Sequence, residues 1–135
     1  MPESLSHISL VQSLVRWVGD NLMGGNRGLI LVDSPDATAK QKPPRIGGFV
    51  PDLYVPDGLG SRMVIGEAKT ARDLEREHSL EQIKAFLLEC SHHGGSVFVM
   101  AVPWYQTRLT RAIIREIQRR TGMNVSCVVL EELPE

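Results

Sequence analysis

From Ser4 to Leu22, apolar side chains recur at steps of three and four residues: Ile8, Val11, Leu14, Val15, Val18 and Leu22. That spacing is the stripe of an amphipathic helix packed by one face. MGGNRG breaks the stripe. LILVD, residues 29–33, follows as a short apolar run between turn signals, the pattern of a buried strand. The next stretch, SPDATAKQKPPRIGG, carries proline, glycine and basic residues without any period, which predicts a loop. FVPDLYV, residues 49–55, and MVIGEAK, residues 63–69, then read as two strands. The PDGLGSR between them offers Asp-Gly and Gly for a hairpin connection.

After Lys69, TARDLEREHSLEQIKAFLLECSHHGG opens with charges and settles into a helix with Leu80, Ile83, Phe86, Leu87 and Cys90 on one side, closed by Gly94 and Gly95. SVFVMAVPW predicts another buried strand, and a helix over roughly Thr107 to Arg120 turns Leu109, Ala112, Ile113 and Ile117 inward. MNVSCVVL is the last strand. The predicted order is therefore αβββαβαβ. Strands that first pair as a hairpin and later alternate with helices argue for an α/β fold, a mixed central β-sheet flanked by helices. With 135 residues, 42% of them hydrophobic, residues 1–135 fit a single domain that can bury its own core.

Charge and cysteine usage narrow the setting. Fifteen basic residues against sixteen acidic ones leave a net charge of -1, so no global attraction to nucleic acid exists and a nucleic-acid partner has to be held by a local basic patch. No apolar run approaches the roughly 20 residues of a membrane span, so no membrane partner is expected. MPESLSHISL has no basic start, and Cys90 and Cys127 lie far apart without metal-ligand spacing. The expectation is a cytoplasmic protein with reduced thiols. His78, His92 and His93 have no partner at a zinc spacing and read as cap or solvent residues.

The two middle strands carry the unusual chemistry. Side chains alternate along a strand, so Glu67 and Lys69 share a face, about 7 Å apart, while Gly66 and Ala68 take the other. A hairpin can bring Asp52 opposite Glu67. Two converging carboxylates repel unless a cation lies between them, and hard oxygen ligands suit Mg²⁺ or Mn²⁺. The Ala68 carbonyl can add a further oxygen, and Lys69 stands where it can stabilise negative charge that develops during phosphodiester hydrolysis. Taken alone, a Glu-x-Lys on a strand is also what a solvated face with a weak ion pair looks like.

The pattern is not alone. Pro51-Asp52, then fourteen residues, then Glu67-Ala68-Lys69, on adjacent predicted strands followed by an amphipathic helix, resembles the PD-(D/E)xK nuclease superfamily over Leu29 to about Val102. The resemblance implies a restriction-endonuclease-like sheet, Asp52 and Glu67 as metal ligands, Lys69 as the catalytic lysine, and a Mg²⁺- or Mn²⁺-dependent deoxyribonuclease. Gln82, four residues before Phe86, resembles the Gln-x-x-x-Tyr element of some branches, which would bring it to the catalytic site, although Phe replaces Tyr and an exposed glutamine has the same appearance. Many members add a glutamate from the first helix. Here that helix has none, so either Glu3 or His7 completes the site, or the core triad stands by itself. Element order resembles the small Holliday-junction-resolvase-like branches, which implies a homodimer acting on DNA. The alternative is a nuclease-fold binding or accessory subunit with weak or lost chemistry.

Basic side chains near these strands are the expected grip on DNA. Lys40, Lys42 and Arg45 lead into the strand of Asp52, while Arg62 and Arg72, with Arg76, flank the strand of Glu67. Arg108, Arg111, Arg115 and Arg119 form a helix stripe that either tracks phosphates or is a solvated face paired with Glu116. Three Phe, two Trp and two Tyr make stacking platforms unexpected and favour backbone and shape recognition.

Overall fold

The first apolar stripe folds as helix α1, Leu5–Leu22, whose Leu10, Leu14 and Val18 are withdrawn from solvent. The computed structural model describes residues 5–34, 38, 41–58, 61–74 and 76–132. Five strands form one mixed sheet: β1 Leu31–Val32, β2 Leu53–Val55, β3 Val64–Ala68, β4 Val97–Pro103 and β5 Ser126–Glu132. Their order across the sheet is their order along the chain. β1, β2 and β3 pair antiparallel, and β3, β4 and β5 pair parallel. Helices α2, Ala71–Leu74, and α3, Glu77–Ser91, connect β3 to β4. A 3₁₀ turn, Trp104–Gln106, and helix α4, Thr107–Thr121, connect β4 to β5. The α/β class and the mixed sheet flanked by helices are as expected, with α2 as an addition.

Each face of the sheet has its own core. Toward α3 and α4, Met63, Ile65, Phe98 and Met100 meet Ile83, Phe86, Leu87 and Ile114. Toward α1, Leu53, Val64, Val99 and Ala101 meet Leu10, Leu14 and Val18. All five residues of β3 are buried because it is covered on both sides. Gly66 sits where space is tightest: a Cβ there would lie 3.0 Å from the Leu53 Cβ and 3.6 Å from the Leu14 Cδ1. Its missing side chain lets α1 settle close against β2 and β3.

Several boundaries differ from the pattern. Residues 49–52 do not join the β2 ladder, because Ile46 and Phe49 exchange backbone hydrogen bonds of 2.6 and 3.0 Å around Gly47-Gly48. Both glycines have positive φ, 58° and 88°, the backbone that a two-residue turn requires. The turn folds the Phe49 ring against Phe86 and His78 of α3. After Lys69 the charged stretch splits into two helices. Thr70 and Asp73 cap α2 reciprocally, the Thr70 N–H donating to Asp73 Oδ2 at 3.1 Å and the Asp73 N–H to Thr70 Oγ1 at 3.3 Å. Helix α4 keeps half of its expected inner face, with Ile113 and Ile117 packed against the core. Leu109 and Ala112 are exposed while Thr107, Thr110 and Ile114 are buried, which is tolerable because the Thr110 hydroxyl donates to the Gln106 carbonyl. Leu80 of α3 is likewise exposed rather than turned inward. β5 starts only at Ser126, since Gln118 holds Val125 by both its N–H (2.6 Å) and its carbonyl (3.2 Å). Among the described residues, no helix is long and apolar enough to cross a membrane.

Candidate active site

Asp52 directly precedes β2, Glu67 lies in β3, and Lys69 stands just beyond the end of β3. The β2–β3 register pairs Leu53 with Gly66, so one more step sets Asp52 opposite Glu67. Glu67, two residues after Ile65, turns to the α3 side of the sheet, while the Asp52 carboxylate, just outside the ladder, lies at the open end of the hairpin between the Ala68 N–H and His7 of α1. All three ionisable groups are nearly out of solvent, Asp52 at 9%, Glu67 at 3% and Lys69 at 8% exposure. A hollow of about 310 Å³ at this end of the sheet is lined by them together with His7, Asp73 and Gln82.

The hydrogen bonds define the state of each group. Asp52 Oδ2 accepts from the Ala68 N–H at 2.8 Å and lies 3.3 Å from His7 Nε2. Glu67 Oε1 accepts from the Asp52 N–H at 3.1 Å, and Glu67 Oε2 lies 3.1 Å from Lys69 Nζ. Lys69 Nζ also donates to Gln82 Oε1 of α3. Burial and the Asp52 charge push the Glu67 carboxyl well above its ordinary range, against the pull of Lys69. Burial acts on Asp52 in the same sense, but hydrogen bonds with His7, Glu67 and the Ala68 N–H outweigh it and hold that carboxyl below its ordinary value. Two adjacent acids therefore share the site unequally, Asp52 the more readily ionised and Glu67 the more reluctant to lose its proton.

A pair of buried, adjacent carboxyl groups is a donor set that a hard divalent cation can take over. Mg²⁺ needs only one or two protein carboxylates, the remainder of its shell being water and substrate. Ala68 adds a carbonyl on the correct edge, because an extended residue sends its C=O to the same side as its N–H, and that N–H points at Asp52. Among the described residues, no three His, Cys, Asp or Glu side chains converge into a ready-made metal cage.

The other expected residues are distributed as follows. His7 reaches the hollow from α1, whereas Glu3 and Lys40 lie outside the described residues. Gln82 is in the site and touches Lys69 rather than solvent alone. Lys42 and Arg45 are exposed on the chain leading to Val50, which itself lines the hollow. The Arg45 guanidinium donates to the Gly48 carbonyl at 2.9 Å and so helps shape its own turn. Arg72, exposed on α2, stands next to Asp73. Arg62 belongs elsewhere: it precedes the N-terminal end of β3, and a five-residue strand separates it from the Glu67 end by about 16 Å. In the α4 stripe, Arg119 is drawn to Glu116 at 2.7 Å, and Arg120 joins it at 2.8 Å. These two bonds pull the exposed Glu116 carboxyl down to about 2. Arg111 and Arg115 line a groove beside β5 instead of the hollow. His92 caps α3, and His93 lies 3.4 Å from both Asp57 and Glu89. The thiols of Cys90 and Cys127 are free and pushed by burial to about 12 and about 11, so neither is a nucleophile at neutral pH.

Two features escaped the sequence reading. Asp73 lines the hollow, and the Thr-x-x-Asp spacing of a capping box was its available signal. Trp104 and Tyr105 stack edge to face, 5.7 Å between centroids, and are about half exposed where β4 ends, at the same end of the sheet as Lys69. Aromatic count alone does not reveal such clustering. Comparison of the chain with family models, curated proteins and solved structures gives no match.

Proposed function

We propose that this protein is a metal-dependent nuclease of the PD-(D/E)xK type, built on a restriction-endonuclease-like fold, that hydrolyses phosphodiester bonds of DNA. The observation that carries the reading is the buried cluster of Asp52, Glu67 and Lys69 at the end of the β2–β3 hairpin. Burying two carboxylates side by side is unfavourable for folding, and a structural role would be served as well by hydrocarbon. The element order, with the sheet antiparallel first and parallel afterwards, supports the same reading.

Asp52, Glu67 and the Ala68 carbonyl would hold Mg²⁺ or Mn²⁺, which when bound supplies a Lewis acid for a phosphoryl oxygen and acidifies water. The chain's own residues prepare the rest. Asp52 is kept ionised by the Ala68 N–H and His7, ready as an anionic ligand. Glu67, whose acidity burial and the Asp52 charge weaken, would bind the cation as a carboxylate, a form that the neighbouring ammonium of Lys69 favours. Gln82 fixes Lys69 so that its charge is directed into the hollow, where oxygens of a phosphodiester become more negative in the transition state. Lys42, exposed on the segment leading to Val50, and Arg72, exposed next to Asp73, suit backbone phosphates.

A second reading, an accessory subunit that binds DNA without cutting it, is favoured by one observation: the Lys69 ammonium is already engaged by Glu67 and Gln82. A cleavage screen on linear, nicked, single-stranded and four-way DNA with Mg²⁺ or Mn²⁺ separates the two. The nuclease reading expects cutting of at least one substrate, with Lys69→Ala slowing it by about 100-fold or more while DNA stays bound. Wild-type protein that binds every substrate and cuts none leaves the accessory reading.

A further inference from the structure

β5 is the outermost strand of the sheet, and among the described residues nothing pairs with its outer edge. It spans seven residues, and its middle, Val128, Val129 and Leu130, is half-buried hydrocarbon. Edges that remain single are usually blunted by charge, proline or a bulge, and none of these interrupts residues 126–130. Both faces of the edge are open as well. On the α4 side a groove of about 570 Å³ runs along Cys127 and Val129, lined by Arg111 and Arg115. On the α1 side a groove of about 430 Å³ lies between Leu130 and the Arg16–Trp17 pair.

We propose that β5 pairs antiparallel with β5 of a second copy of this chain, joining two sheets into one. The side-chain faces permit it. Cys127, Val129 and Glu131 turn toward α4, where the Thr107 hydroxyl donates to Glu131. Val128, Leu130 and Glu132 turn toward α1, where the Ser9 hydroxyl donates to Glu132. A two-fold axis normal to the sheet keeps like faces together, so opposite residues must share a face and the axis must pass through a residue. Centring on Val129 pairs the whole strand, Ser126 with Glu132 and Leu130 with Val128, giving apolar cross-strand contacts on the α1 side.

Charge complementarity selects a second copy as the occupant. In this register Glu131 stands opposite Cys127 of the other copy, beside that copy's Arg111 and Arg115, and symmetry makes the contact twice. Neither arginine makes an ion pair within its own chain among the described residues. Centring on Leu130 instead would bring the two Glu131 side chains nearer to each other. The pairing lies at β5, across β4 from the strands that carry Asp52 and Glu67, and does not depend on the proposed activity.

The test uses the full chain. Sedimentation equilibrium is expected to show a dimer at concentrations up to about 100 µM, since association follows mass action. Val129→Cys is expected to form a disulfide-linked dimer under mild oxidation, because opposed Cβ atoms in an antiparallel pair lie about 4.5–5.5 Å apart. Wild-type Cys127, facing Glu131, is expected not to crosslink. Glu131→Arg, an exposed change, should weaken association by about 10-fold or more, and adding Arg111→Glu and Arg115→Glu should restore it. A monomer throughout the range overturns the proposal. So does a folded dimer in which Val129→Cys stays uncrosslinked.

Discussion

Glu67 and Asp52 are one hydrogen bond apart, and burial and charge drive their acidities in opposite directions. The sign of the consequence follows from proton counting. Between the ordinary carboxylate range and the raised Glu67 value, the folded chain holds a proton that the unfolded chain has lost, so the metal-free protein loses stability as pH rises through that window. Asp52, held low, contributes stability above the ordinary value of 3.8, and this is lost as pH falls below it. Glu67→Gln has no proton to release. In EDTA it should unfold at higher urea than wild type near neutral pH, with the gap shrinking toward about pH 4.5; a gap independent of pH would contradict a raised Glu67. Metal loading should expel that proton, which calorimetry reads as a binding heat that varies with the ionisation enthalpy of the buffer. Asp52→Asn should abolish the Mg²⁺ or Mn²⁺ heat, and binding equal to wild type would remove Asp52 from the site.

At the scale of elements, α1 is placed by what β3 lacks. Gly66→Ala introduces a methyl group 3.0 Å from the Leu53 Cβ and within reach of Leu14, and overpacking of this kind costs about 1–3 kcal/mol. Because α1 also carries His7 to Asp52, the variant is expected to lower both Tm and metal affinity, whereas a purely local clash would lower Tm alone. Thr70→Ala removes the reciprocal cap of α2 and should cost about 1 kcal/mol in denaturant unfolding. The triad was legible in the sequence, because strand alternation and hairpin register are local rules that fix which of Asp52, Glu67 and Lys69 can meet. His7 stayed undecided between ligand and surface because the azimuth of α1 on the sheet is set by Gly66 and Leu14, a contact between distant segments. Arg62 lies at the far end of β3 for the converse reason: proximity in sequence to a strand does not say which end of it is near the site. Of the four residues expected inside α4, Ile113 and Ile117 meet the core, but Leu109 and Ala112 give way to two buried threonines, one with its hydroxyl satisfied by the preceding turn of backbone.

For the molecule as a whole, a net charge of -1 means that DNA, the proposed substrate, would have to be gripped by a few cations against a neutral background. Lys42→Ala should therefore flatten the plot of log affinity against log salt by roughly one unit, while Arg45→Ala should flatten it less, its guanidinium being shared with the Gly48 carbonyl. Equal slopes in wild type and both variants would place the footprint elsewhere on the surface. The sheet has a further consequence, which concerns how the chain is made. Strand order across the sheet follows strand order in the sequence, so each strand leaving the ribosome finds its partner already present, and the pairing needs no late insertion between older strands. Asp52 and Glu67, fifteen residues apart, meet when the β2–β3 hairpin closes, before α3 has supplied Gln82 or β4 has covered the second edge of β3. The repulsive pair is thus assembled on the nascent chain at its most weakly supported moment. Synthesis at a divalent-ion concentration sufficient to neutralise the hairpin should raise the yield of folded protein for wild type and not for Glu67→Gln.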